Sequence, residues 1–115
     1  MKKNVYQIIG FAQKAGQVSS GTMAAKTSLL RKRARLLIMA EDISETTKES
    51  LVTTCQKQNI PWLLFGDKYR LGTCIGKAYR VAVTINDDGF ARAILEALET
   101  GGDEANLMGV VKWQK

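Results

Sequence analysis

Between positions 4 and 15, Val5, Ile8, Ile9 and Ala12 recur at helical spacing while Gln7 and Lys14 face the other way, which predicts an amphipathic helix stopped at Gly16. Val18-Ser19 supplies at most a short strand. A second helix is expected from about Thr22 to Lys32, with Ala25 and Leu29 turned inward. Arg35-Leu36-Leu37-Ile38-Met39-Ala40 then shows no alternation at all, the mark of a strand covered on both faces and central in its sheet.

Ser44 is a good cap for a third helix that carries Leu51, Val52 and Cys55 inward as far as about Gln58. Asn59-Ile60-Pro61 breaks the chain, and Trp62-Leu63-Leu64-Phe65 makes the next apolar strand, with Trp62 as a packing anchor. Asp67 is placed to cap a short helix through Tyr69, Leu71, Cys74 and Ile75, in which Gly72 and Gly76 leave bare backbone for close packing or for a ligand. Val81-Ala82-Val83-Thr84-Ile85 is the fourth strand, and Asn86-Asp87-Asp88-Gly89 turns into a last helix containing Phe90, Ile94, Leu95 and Leu98. Gly101-Gly102-Asp103-Glu104 reads as a break. The expectation is one domain over residues 1–100, a variable tail over 101–115 that includes Trp113, and a mixed or parallel sheet of roughly four strands with helices on both faces.

A chain of 115 residues, 45% hydrophobic and 24% charged, suffices for one real core. It has no apolar run long enough to span a bilayer and no signal-peptide core, so a cytoplasmic protein without a membrane partner is expected. Cys55 and Cys74 fall on apolar helix faces without C-x-x-C spacing, which favours buried, reduced thiols. The absence of histidine removes histidine-based triads, imidazole acid–base pairs and mixed Cys/His zinc sites. Asp87-Asp88 and Glu41-Asp42 each follow a strand, where acids cap helices or line turns more often than they hold magnesium. No catalytic residue, metal or cofactor is therefore assigned.

Charge changes the picture more than composition does. Residues 1–35 carry eight Lys or Arg and no Asp or Glu, whereas the remainder carries nine basic and eleven acidic residues, against a net charge of +6. A segregated field of one sign is the footprint of a polyanion, because neutralising phosphates releases counterions. Gly16 and Gly21 bracket a polar turn that leads into the second helix, whose first N–H groups favour an anion; Arg31, Lys32, Arg33 and Arg35 follow, able to meet several phosphates. Lys77-Ala78-Tyr79-Arg80 joins basic and aromatic character, which suits phosphate contact plus stacking on an unpaired base.

Taken together, Lys14-Ala15-Gly16, Gly21-Thr22, Ala34-Arg35-Leu36-Leu37-Ile38-Met39-Ala40, Ile60-Pro61, Leu71-Gly72-Thr73-Cys74-Ile75-Gly76-Lys77 and Tyr79-Arg80-Val81 resemble, in order and spacing, the ribosomal protein superfamily of L-seven-Ae and L-thirty-e, and within it the small bacterial YlxQ-type members. The resemblance implies a three-layer α/β/α sandwich that binds RNA, often at a kink-turn. It places a first contact surface on Gly21, Thr22, Met23, Ala24 and Lys26, with Lys14 and Gln17 beside it, and a second on Lys77, Ala78, Tyr79, Arg80 and Val81; Glu41 is a weaker candidate. Many kink-turn binders of this kind carry Asn-Glu after the Gly-Thr step, a pair able to hydrogen-bond guanine edges; here Met23-Ala24 offers no such side chains.

The reading that follows is a non-enzymatic RNA-binding protein, associated with the ribosome or another structured RNA. Two alternatives use the same fold: a protein-interaction adaptor whose basic face docks an acidic protein, and a stand-alone RNA-docking domain for an RNA-modifying enzyme.

Overall fold

The computed structural model describes residues 4–101. Helix α1 (Val5–Lys14) opens with a reciprocal cap: Asn4 Oδ1 accepts the Gln7 N–H at 2.9 Å and Gln7 Oε1 accepts the Asn4 N–H at 3.0 Å. Strand β1 (Val18–Ser20) and helix α2 (Thr22–Leu30) follow, then β2 (Leu36–Met39), α3 (Glu45–Gln58), β3 (Trp62–Leu64), α4 (Lys68–Thr73), β4 (Ala82–Ile85) and α5 (Asp88–Gly101).

The four strands form one mixed sheet in the order β1-β4-β2-β3. β4 runs antiparallel to both β1 and β2, while β2 and β3 are parallel. The apolar run of β2 is buried throughout because it divides its side chains between two cores. Leu36 and Ile38 pack with α1, α5, Leu71 of α4 and Ile75 in the turn after it, whereas Leu37 and Met39 pack with Ala25 and Leu29 of α2 and Leu51 and Cys55 of α3. This is the three-layer α/β/α sandwich, with β2 inside the sheet as its sequence requires.

One acid of each pair, Asp42 and Asp87, acts as a cap. Asp87 Oδ2 accepts the Phe90 N–H at 3.0 Å at the start of α5. Asp42 Oδ1 and Asp67 Oδ1 accept the Lys68 and Arg70 N–H groups at 3.0 and 2.8 Å, so two acids hold the first turn of α4. Ser44 caps α3 through the Thr47 N–H.

Several boundaries differ from the sequence expectation: α4 ends at Thr73, so Cys74 and Ile75 fall in the turn that follows it, where the Gly76 N–H bonds back to the Thr73 carbonyl. α2 stops at Leu30 rather than Lys32, because Lys32 turns to φ 62° and leaves the helix. Arg31, Lys32 and Arg33 are thus a loop, not a helix face. The last helix continues through Gly101; the tail over 102–115, with Trp113, lies outside the described residues, as do Lys2 and Lys3. Among the described residues no helix is long and apolar enough to cross a membrane.

Candidate nucleic-acid interface

The short β1 strand delivers the chain to Gly21, whose N–H donates to the Ala82 carbonyl at 2.9 Å at the start of β4. Gly21 holds φ 99°, a region that a side chain would strain, and from there α2 begins at once. Gly21 offers no side-chain cap, so the first N–H groups of α2 are left for another acceptor. Thr22, Met23 and Ala24 are all exposed, and Met23 stands 85% open to solvent.

The second segment reaches the same place from β4. Gly72 in α4 is buried directly beneath Tyr79, and the Arg80 N–H donates to the Lys68 carbonyl at 2.9 Å, so the segment folds back over α4 before entering β4. A Cβ placed on Gly21 would sit 3.9 Å from Arg80 Nε. Ser20, Gly21, Thr22, Met23, Ala24, Tyr79, Arg80 and Val81 consequently line one open groove of about 520 Å³. Arg80 Nη1 donates to the Tyr79 carbonyl at 2.6 Å, which holds the guanidinium along this wall. The groove pairs free backbone donors on one side with an aromatic face and a cation on the other, a combination that can grip a phosphate and stack a base together.

Tyr79 is not alone. Its ring meets that of Tyr69 edge-on at a centroid distance of 6.3 Å, and Lys68 Nζ lies 5.4 and 5.7 Å from the two ring centres. Both rings are more than half exposed, which is costly for a large aromatic surface unless something covers it. Lys68 and Tyr69 were not foreseen, since Tyr69 reads in sequence as part of the apolar face of α4. The clue was the Asp67 cap, which fixes the helix start and with it the face on which Tyr69 lies.

The remaining sequence candidates divide by position. Glu41 lies at the groove end of the sheet, where the neighbouring Ala40 N–H donates to the Val81 carbonyl at 2.9 Å. Lys26 follows Met23 on α2, and its Nζ donates to Ser50 Oγ of α3 at 2.8 Å. Lys77 and Ala78 are exposed on the turn that leads to Tyr79. Lys14, Gln17, Arg31 and Lys32 are not brought to the groove. Gln17 precedes β1 and its carbonyl accepts the Asn86 N–H beyond the far end of β4, while Arg31 and Lys32 lie beyond the far end of α2, about 13 Å of helix from Gly21.

That far end is fixed by a partly buried polar cluster. Asn86 Oδ1 accepts from Ser28 Oγ at 2.8 Å and Thr84 Oγ1 at 2.9 Å, and Asn86 Nδ2 donates to Ser19 Oγ at 3.0 Å, tying α2, β4 and β1 together. No buried side-chain nitrogen or oxygen among the described residues lacks a partner. Burial pushes the Cys55 thiol up to about 12 and the Cys74 thiol up to about 11, so neither is a poised nucleophile. Among the described residues there is no group of three or more acidic or cysteine side chains placed to hold a metal ion.

Comparison with known proteins agrees with this fold. The chain is 30% identical over 94 residues to an RNA-binding protein YlxQ of Bacillus subtilis, covering 82% of this chain and 94% of the relative. It is also 30% identical over 90 residues to the large ribosomal subunit protein eL8 of Picrophilus torridus, covering 77% of this chain and 71% of that one. A solved structure of a Bacillus halodurans protein of unknown function superposes with a TM-score of 0.77 at 28% identity, covering 80% of this chain and 93% of the other. A Giardia lamblia 15.5kD RNA binding protein shares the fold, with a TM-score of 0.69 at 19% identity over 79% of this chain and 78% of its own. Residues 3–95 match the sequence profile of the ribosomal protein L7Ae/L30e/S12e/Gadd45 family, and the chain belongs to that family.

Proposed function

We propose that this protein is a non-enzymatic RNA-binding protein that grips a structured RNA, ribosomal or ribosome-associated and of the kink-turn class, through the groove between the start of α2 and the Tyr79 segment. The observation that carries the reading is the convergence of Gly21, Thr22, Met23 and Ala24 with Tyr79, Arg80 and Val81 on one groove, from segments far apart in the chain. The relatives named for RNA binding and for the large ribosomal subunit support it.

The chemistry divides the labour. The uncapped helix start and Arg80 meet phosphate oxygens, whereas Tyr79, with Tyr69 behind it, offers a ring to an unstacked base. Met23 and Ala24 bring no hydrogen-bonding side chains to base edges, so discrimination rests on the shape of a sharply bent RNA and on stacking. Binding of the purified protein to a labelled kink-turn RNA and to a duplex of equal length, across a salt series, tests this. The expected result is a kink-turn preference that persists as salt rises; equal affinities that fade together would contradict it.

A further inference from the structure

Four helices in this protein end in the same way. In each, a residue with positive φ donates its N–H to the carbonyl three residues back, and the next residue donates to the carbonyl five back. After α1 the pair is Gly16 to Gln13 and Gln17 to Ala12; after α3 it is Asn59 to Gln56 and Ile60 to Cys55; after α4 it is Gly76 to Thr73 and Lys77 to Gly72. After α2 it is Lys32 to Leu29 at 3.1 Å and Arg33 to Ser28 at 2.9 Å. The left-handed position thus holds Gly, Asn and Gly at three ends, the residue types that tolerate it, and lysine at the fourth, with φ 62°.

A lysine at that position breaks the local rule the rest of the chain obeys, and a conformational cost retained in one place points to function. Its neighbours sharpen the case. Arg31, Lys32 and Arg33 are all exposed, and among the described residues none of them takes part in an ion pair, whereas Arg35 pairs with Asp88 at 3.5 Å. Basic residues near a helix C-terminus also favour the dipole, but that benefit does not require the left-handed position to be filled by lysine. The Asn86 cluster and the 2.7 Å bond from the Arg35 N–H to the Ile85 carbonyl anchor the loop on both sides at the end of the sheet opposite the groove.

We infer that residues 31–33 form a second RNA contact, a three-cation clamp for the phosphate backbone of a helical arm, separate from the groove. The inference goes beyond the groove and rests on the RNA-binding reading only for the class of ligand. The groove selects the bent RNA, and the clamp supplies affinity without regard to sequence.

The test uses the full chain, with the triple variant Arg31→Gln, Lys32→Gly and Arg33→Gln and the single variant Lys32→Gly, against a plain RNA duplex and a kink-turn RNA. The triple variant should bind both RNAs about tenfold or more weakly at moderate salt, with a salt slope shallower by roughly two to three and the kink-turn to duplex ratio unchanged. Lys32→Gly should melt no lower than the wild type yet bind the duplex more weakly, because glycine relieves the backbone and removes one cation. Unchanged duplex affinity and slope in the triple variant would overturn the clamp and leave the loop to another partner, such as an acidic protein surface. A wild type without kink-turn preference would sink the groove reading, while the clamp would still be judged by the slope. No duplex binding by the wild type even at low salt would overturn the clamp outright.

Discussion

Gly72 lies so close beneath Tyr79 that a Cβ on Gly72 would stand 2.7 Å from both the Tyr79 nitrogen and its carbonyl carbon. Backbone, unlike the end of a flexible side chain, cannot step aside by changing rotamer. The contact therefore sets where the Tyr79 ring and Arg80 stand relative to the start of α2. Gly72→Ala should displace that segment at a cost of about 1–3 kcal/mol, seen as a lower melting temperature. At temperatures where the variant is still folded, RNA affinity should nonetheless fall; full affinity in a folded Gly72→Ala protein would show that Tyr79 need not sit where it does.

Met23 and Ala24 are exposed, so changing them costs the fold little, within about 0.5 kcal/mol. Introducing Met23→Asn together with Ala24→Glu supplies hydrogen-bonding side chains at the start of α2. The expected outcome is a kink-turn to duplex preference raised by about tenfold, in line with the roughly 1–3 kcal/mol of a good base-edge contact. An unchanged ratio in paired titrations would mean that bound RNA does not present base edges to these positions.

Asn86 accepts from the hydroxyls of Ser28 and Thr84, which are 2% and 0% exposed. Asn86→Ala leaves both without their acceptor and should cost about 2 kcal/mol or more in denaturant unfolding. The loss should also loosen the far end of α2, read as faster amide exchange over residues 28–33. Undiminished stability would mean that the cluster is dispensable.

The two thiols give a pH dependence with a definite sign. Burial raises Cys55 from its ordinary 9.0 to about 12 and Cys74 to about 11. The folded state thus keeps protons that the unfolded chain sheds above pH 9.0, and stability from these groups is full below that pH and lost progressively as pH rises from there through the folded values of about 12 and about 11. Between pH 9 and 10 the decline should reach at most about 1 kcal/mol for the buried Cys55 and less for the half-buried Cys74, whose thiolate water partly screens, measured by denaturant titration in parallel with a Cys55→Ala, Cys74→Ala protein. A wild type that falls no faster than this variant would contradict the buried-thiol account.

Much of the sandwich was legible because local and tertiary signals agree. The unbroken run at Leu36, Leu37, Ile38 and Met39 is compatible only with burial on both faces, and Ser44 and Asp67 sit where helices begin and accept the expected N–H groups. The strand order was not legible, since inserting β4 between β1 and β2 depends on pairings between distant segments. The end of α2 was misread for a different reason. Arg and Lys are good helix formers, and nothing in Arg31-Lys32-Arg33 announces a left-handed residue, so the hydrogen bonds to Leu29 and Ser28 decide what propensity does not. The groove residues other than Ser20 were named from the sequence, but their convergence with Tyr79, and the addition of Lys68 and Tyr69, came from how Gly72 packs α4 under the chain.

The central claim is the location of the RNA contact, and amide chemical-shift mapping of the full chain titrated with a kink-turn RNA tests it most directly. The account predicts the largest changes at Gly21, Thr22, Met23 and Ala24 and at Tyr79, Arg80 and Val81, with a separate, salt-sensitive set at Arg31, Lys32 and Arg33 that a plain duplex also produces. Changes that leave the groove residues untouched, whatever happens elsewhere on the surface, would contradict it.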